Sequence, residues 1–181
     1  MNESDTRAVV AVAEASAGVG YYDAATVASY LQRSRGARGS FAYVARQATR
    51  VVGFRFSFPP GSWAKGRGAA LHPSRWGAAT SEAAYFQSCF VHPDHTARGI
   101  GRRLATRALA DLRDAGAVVV VAHSWLQSPH QSSRRYLERL GFRAVATCPD
   151  YWIDVDYTCP RCGRPCRCTA VEMVCKVVGG Y

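Results

Sequence analysis

Val91-His92-Pro93-Asp94-His95-Thr96-Ala97-Arg98-Gly99-Ile100-Gly101-Arg102-Arg103-Leu104 is the stretch whose reading decides the fold. An apolar run ending Phe86-Gln87-Ser88-Cys89-Phe90-Val91 precedes it and reads as a strand; Leu104, Ala105, Ala108, Leu109 and Leu112 follow at helical spacing until Gly116 breaks the pattern. The segment is therefore strand, glycine loop, helix. Gly99 and Gly101 let the backbone come close to a ligand, and the free N–H groups of the next helical turn, backed by the helix dipole, attract an anion such as a pyrophosphate. Arg98, Arg102 and Arg103 add positive charge at that mouth. A Gly-x-Gly alone also describes an ordinary tight strand-to-helix turn, so the reading needs a second block.

Val-x-Pro followed by Ala97-Arg98-Gly99-Ile100-Gly101-x-x-Leu resembles the acetyl-CoA motif of the GNAT superfamily of N-acetyltransferases. Further on, Tyr136-Leu137-Glu138-Arg139-Leu140-Gly141-Phe142 is similar to that family's closing helix and its Gly-Phe step into the next strand. The two blocks stand in the family's order and cover residues 84 to 147. Phosphate-loop nucleotide binders fit less well, because no Gly-Lys-Ser/Thr follows the glycines. The order of elements, with the resemblance, implies an α/β (α+β) fold: a mixed, mostly antiparallel sheet flanked by helices on both faces and split near the cofactor strand.

At 181 residues, 48% hydrophobic and 20% charged, the chain suits one domain over residues 1–181 with a real core. No run of about 18 apolar residues is available to span a bilayer, and no basic segment leads into an apolar core and cleavage site. A cytoplasmic protein with no membrane partner is the expectation. The net charge of +10 suits a polyanion such as coenzyme A, and would suit nucleic acid or an acidic substrate as well. Its arginines are scattered, which favours a solvated basic surface, and nucleic acid is not expected as a partner.

Ala8 to Ala13 read as a first strand, and Asp23 caps a helix whose apolar face is Thr26, Val27, Tyr30 and Leu31. Phe41–Arg46 and Val51–Phe58 read as a hairpin. From Pro59 to Glu82 periodicity is lost, and Trp63, His72 and Trp76 are interspersed with Lys65, Arg67 and Arg75. Tryptophans in such a loop suit either a lid over an acceptor site or pins that hold the loop to the core. Ala117–Ala122 is a buried strand, Ser128-Pro129-His130-Gln131 a helix start closed by a capping box, and Arg143–Thr147 and Ala170–Val178 the last two strands.

Between those strands Cys159-Pro160-Arg161-Cys162 and Cys166-Arg167-Cys168 give C-x-x-C, three residues, then C-x-C. Four thiolates at these spacings can surround one zinc ion tetrahedrally, in a site closed to water and therefore structural. The expected unit is a small zinc-binding insertion over residues 157–169, buttressing the acceptor side; a disulfide pair, a redox pair or an iron–sulfur cluster are the alternatives. Cys89, Cys148 and Cys175 read as small core residues, with Cys148 the substitute ligand to watch.

The resemblance implies transfer of an acyl group from a CoA thioester to an amine, with Phe90 and Val91 pairing with the pantetheine arm and Thr96, Arg98, Gly99, Ile100, Gly101, Arg102 and Arg103 around the pyrophosphate. Three positions depart from the family. Thr96 replaces the usual Gln or Arg, His130 the usual Asn, and Leu137 the tyrosine that protonates the thiolate. Tyr136, one place earlier, is turned by about 100° on a helix; either it reaches the sulfur by a shifted register, or Tyr151, a serine or water is the acid, or the thiolate leaves unassisted. No carboxylate stands at the usual base positions, where Tyr85 and Gln87 occur. His123, at the end of its strand, is the preferred base, and Glu82 a second.

The reading is an acetyl-CoA-dependent N-acetyltransferase acting on a primary amine of a small molecule by direct attack. Acetylation of a protein N-terminus or lysine, requiring an open groove, is the alternative enzyme; a non-catalytic acyl-CoA-binding or zinc interaction module is the alternative outside enzymes. Acceptor, acyl length and a homodimer are left open.

Overall fold

Val9, Val12 and Ala13 recur at i, i+3 and i+4 and are all buried, so the first apolar run is a helix, α1 (Thr6–Ala17). This corrects the strand expected over Ala8–Ala13: its valines favour a strand locally, but the burial period is helical. In this computed structural model the described residues are 1–61, 63 and 71–177; Lys65, Gly66, Arg67, Gly68 and Val178, and the His130 side chain, lie outside them.

Asp23 caps α2 (Ala24–Arg33) as expected, its Oδ1 accepting from Thr26 N at 2.7 Å. A two-residue ladder, β1 (Arg35–Gly36) with β2 (Gly39–Ser40), leads into the hairpin β3 (Ala42–Gln47) and β4 (Arg50–Phe58). Then come β5 (Ala83–Val91), α3 (Ile100–Asp114), β6 (Val119–Trp125), α4 (Ser132–Glu138), β7 (Arg143–Cys148) and β8 (Ala170–Lys176). Pro129–Gln131 forms only a 3-10 turn before α4. Gln131 is left-handed at φ 52 and closes no capping box; instead the Ser128 Oγ accepts from Ser133 N at 3.1 Å.

The main sheet has the order β3-β4-β5-β6-β8-β7, and every neighbouring pair is antiparallel except β5 with β6. One face carries Val9, Val27, Phe54, Phe56, Phe58 and Trp76; the other packs Ala105, Ala108 and Leu112 of α3 and Leu137 of α4 over Phe86, Val120 and Met173. This is the mixed, two-faced sheet expected.

Two features open the sheet. The β5–β6 ladder runs only from Ala83↔Val119 to Phe86↔Ala122, after which the strands part. At the same point Phe56 and Ser57 pair with Ser88 and Phe86, leaving Gln87 as the extra residue of a bulge. Trp63 and Trp76 do not roof this opening. Trp63 donates its Nε1–H to Ala83 O and stacks on Tyr85 at 4.7 Å, and Trp76 is fully buried, so both are core pins. Among the described residues no helix is long and apolar enough to cross a membrane.

Candidate active site

A cleft of about 920 Å³ passes through the parted strands. At one end lies the glycine loop. Ala97 and Gly99 adopt left-handed φ of 60° and 74°, turning the chain sharply into α3. The first helical bond of α3 runs from Arg103 N to Gly99 O, which leaves the N–H groups of Ile100, Gly101 and Arg102 without a helical carbonyl. Phe90, Val91, Thr96, Gly99, Ile100, Gly101 and Arg102 all line the cleft. Arg98 and Arg103 are exposed outside its lining, Arg98 donating back to Asp94 O at 3.0 Å. Tyr136 reaches this end of the cleft: its hydroxyl donates to Gly101 O at 2.9 Å and accepts from Arg55 Nη2 at 2.7 Å. Burial pushes its pKa up, against the pull of the Arg55 charge, so the phenol is neutral.

The other end is aromatic. Tyr21, Tyr22, His123, Tyr151 and Tyr157 line it. The His123 ring stacks on Tyr151 at 4.5 Å, and its Nδ1 lies 2.9 Å from the Tyr85 hydroxyl, which is in turn 3.1 Å from that of Tyr151. Burial raises the pKa of both tyrosines, so this chain of three groups carries two phenolic protons at neutral pH. Tyr22 donates to Ser88 Oγ at 2.7 Å and Gln87 Nε2 to the Tyr30 hydroxyl at 3.1 Å, anchoring the bulged strand to α2 and its approach.

Cys159, Cys162, Cys166 and Cys168 bring their sulfurs within 4.8 Å of one another. Neighbouring Sγ atoms are 3.6–3.8 Å apart. No pair among them is at the disulfide length of about 2.05 Å, and four sulfurs at about 2.3 Å from a tetrahedral centre would stand about 3.8 Å apart. Tyr157 donates to Cys166 Sγ at 3.2 Å and Arg167 N to Cys162 Sγ at 3.3 Å, so each of these sulfurs accepts a hydrogen bond from outside the cluster. Burial opposes ionisation of Cys159, yet the backbone N–H groups of Cys162 and Arg161 draw its pKa down to about 6. Cys159 and Pro160 also line the cleft. Cys148 and Cys175 stand apart from the cluster: Cys148 lies with His72 and Glu172, and Cys175 points its thiol to Leu140 O. In the His72–Glu172 pair Nδ1 and Oε2 are 2.6 Å apart, a direct hydrogen bond between a partly exposed imidazole and a fully buried carboxylate.

Of the acid–base candidates, His123 and Tyr136 lie in the cleft and Glu82 does not. Glu82 is exposed at the opposite end of β5, where its carboxylate accepts from Ala79 N at 2.9 Å as a helix cap. Arg55, Tyr22 and Tyr157 escaped the sequence reading. Arg55 alternates with Phe54 and Phe56 and looks like a solvent-facing strand residue, and nothing local marks the tyrosines.

Residues 10–142 match the model of the Acetyltransferase (GNAT) family. The L-amino acid N-acyltransferase MnaT of Escherichia coli (strain K12) is 36% identical over 76 residues, 39% of this chain and 43% of that protein. The chain thus spans less than half the length of that curated relative. The structure of yncA, an acetyltransferase from Salmonella typhimurium with its cofactor acetyl-CoA, has a TM-score of 0.68 at 20% identity over 100% of this chain and 93% of that one. The ribosomal-protein-S18-alanine N-acetyltransferase of Escherichia coli gives a TM-score of 0.68 at 16% identity over the same shares. At these identities the likeness is one of fold.

Proposed function

The chain belongs to the GNAT family of acetyltransferases, and on that premise we propose that it is an acetyl-CoA-dependent N-acetyltransferase acting on a primary amine of a small molecule. One observation carries the reading: a single cleft joins the free N–H groups at the start of α3 to an aromatic chamber holding His123. The pyrophosphate sits on Ile100, Gly101 and Arg102, with Thr96 at the rim and Arg98 and Arg103 adding field from outside. The pantetheine arm follows Phe90 and Val91 along the parted edge of β5, and the acyl group reaches the middle of the sheet.

The amine nitrogen attacks the thioester carbonyl, the C–S bond breaks, and CoA leaves as a thiolate. His123 takes the proton from the amine. It can do so when Nδ1–H donates to the Tyr85 hydroxyl, leaving Nε2 as the acceptor; Tyr85 is thus the positioning residue for the base. Tyr136 supplies the proton to the thiolate by releasing Gly101 O, with Arg55 beside it to offset the phenolate charge. The cysteine cluster holds a structural zinc within the 157–169 insertion of a single domain, fixing Tyr157 as part of the acceptor wall. The MnaT match supports a small-molecule acceptor bearing an amino group.

Acetylation of a protein N-terminus or lysine keeps its place for one reason: Trp63 and Trp76 are core pins, so neither of them closes the chamber against a peptide. Calorimetric titration of the zinc-loaded protein with acetyl-CoA, followed by turnover of parallel amine and peptide panels, tests both readings. One-site binding with amine turnover is expected. Absence of binding overturns the function, and peptide-only turnover selects the second reading.

A further inference from the structure

The least expected residue in the cleft is a buried cation. Arg55 is 1% exposed in the middle of β4, its guanidinium carbon 3.8 Å from the centroid of the Phe86 ring. One nitrogen, Nη2, donates to Tyr136; among the described residues Nε and Nη1 have no hydrogen-bond partner, although Arg55 lines the cleft. A buried charge with idle donors is costly unless an anion or a developing negative charge meets it. Burial opposes the charge of Arg55, yet Tyr136 and Cys89 beside it raise its pKa. Tyr136 is a neutral phenol. Among the described residues no carboxylate forms an ion pair with Arg55, and the sulfur beside it is that of Cys89.

Cys89 is placed for this. It is the register partner of Arg55, so both side chains leave the sheet on one face. It is half-buried and lines the same cleft, its Sγ 3.9 Å from the Tyr136 hydroxyl and 3.8 Å from where a Cβ on Gly101 would stand. The sulfur therefore lies directly under the first turn of α3, on the floor of the channel.

We infer that Cys89 is an acylation site: its sulfur, paired with Arg55, takes the acyl group from a bound acyl-CoA by thioester exchange. The Cys89 sulfur attacks the thioester carbonyl; a new S–C bond forms, the C–S bond to CoA breaks, and the Cys89 proton ends on the departing CoA sulfur. Thiol and thioester are exchanged for thioester and thiol, so no oxidant or further reactant enters. Nε–H and Nη1–H of Arg55 are the donors for the charge that develops on the attacking sulfur and the carbonyl oxygen. The product is an S-acyl cysteine that holds the acyl group inside the cleft when no amine is present.

The inference rests on acyl-CoA entering this cleft, as proposed above, and the test separates the two. Zinc-loaded protein is incubated with acetyl-CoA without amine, quenched in acid and mapped by peptide mass, while acetyl-CoA binding is measured by calorimetry on the same preparation. One acetyl group on the Cys89 peptide, removed by neutral hydroxylamine and absent in Cys89→Ser, is the expected result. Arg55→Met should slow its formation on the order of a hundredfold, with Arg55→Lys recovering part of the rate. Should Arg55→Met fail to fold, the Arg55→Lys rate against wild type carries the comparison. Binding without a hydroxylamine-labile acetyl group on Cys89, or acetylation confined to the four clustered cysteines, overturns the inference and leaves the proposed function standing. No binding removes both.

Discussion

Gly101→Ala separates the fold from the ligand. A Cβ at this position would lie 3.6 Å from Tyr136 Cε2 and 3.8 Å from both Cys89 Sγ and Val91 Cγ2, ordinary van der Waals contacts, and the backbone there is not left-handed. Alanine in place of a helical glycine gains about 0.5–1 kcal/mol, so the melting temperature should hold or rise by up to about 2–4 °C. The added methyl, however, stands among residues that all line the cleft, where the ligand must approach the backbone. Loss of one charge-assisted hydrogen bond from the Gly101 N–H corresponds to about 1.5–3 kcal/mol, or roughly 10- to 150-fold in Kd. Calorimetric titration with acetyl-CoA beside a thermal melt reads both quantities. An unchanged Kd in a normally melting variant would refute an anion seat on the first turn of α3, and an early melt would refute the packing argument. Gly99→Ala is the contrasting case. Its Cβ would meet nothing within 4 Å, but φ is +74°, so alanine there should destabilise by about 1–2 kcal/mol through backbone strain alone.

Further predictions concern the chamber and its supports. His123→Gln should lower kcat by about a hundredfold or more and abolish the acid limb of the pH–rate profile, with acetyl-CoA affinity unchanged; a retained limb would remove His123 from the base role. Tyr85→Phe, which takes away only the hydroxyl that meets Nδ1, should reduce kcat without moving the KM for acetyl-CoA, and an equal loss in both would make it a merely structural residue. Cys166→Ser should lose bound zinc by elemental analysis and raise the acceptor KM about tenfold, as if ~1.4 kcal/mol of wall contact were lost, while acetyl-CoA still binds. Trp76→Phe removes the Nε1 donor, 2.7 Å from the buried Glu172 carboxylate, and should lower unfolding free energy in urea by about 1–3 kcal/mol.

What could be read from the chain follows from what is local. The glycine loop, the Asp23 cap and the four-cysteine spacing depend on residues a few places apart, and each appears where it was expected. Whether a side chain serves the core or the cleft depends on what covers it. The valines of α1 favoured a strand, but the sheet buries only one residue in three or four of that run. Trp63 and Trp76 sit in an aperiodic loop, yet the parallel pair β5–β6 needs aromatic cover on the face that α1 and α2 leave open. Arg55 looked solvent-facing because alternation shows that a residue faces away from its neighbours, not that water lies there; α3 and α4 cover that side. Glu82 stood near enough in sequence to seem useful, but a nine-residue strand carries it to the far end from the opening.

The cysteine insertion is tied to the chamber from both sides. Tyr157 places its hydroxyl on Cys166 and its ring edge-on to Tyr21 at 5.0 Å, so one residue links the cysteine cluster to the loop between α1 and α2. Gly18, in that same loop, packs so closely on the insertion that a Cβ would come 2.6 Å from Thr158 O, and its φ of 111° excludes other residues sterically as well. Two segments far apart in sequence thus meet at a glycine and a tyrosine, and Tyr21 and Tyr22 tie the first of them to Phe90 and Ser88 of β5. On the proposed reading, a metal held by the four cysteines would stiffen the side of the chamber on which Tyr157 stands. The glycine loop needs no comparable brace, because α3 buries Leu104, Ala105, Ala108 and Leu112 against the sheet and Tyr136 fastens its first turn through Gly101 O. On the proposed reading, metal removal is therefore expected to act on the acceptor end rather than on acetyl-CoA binding.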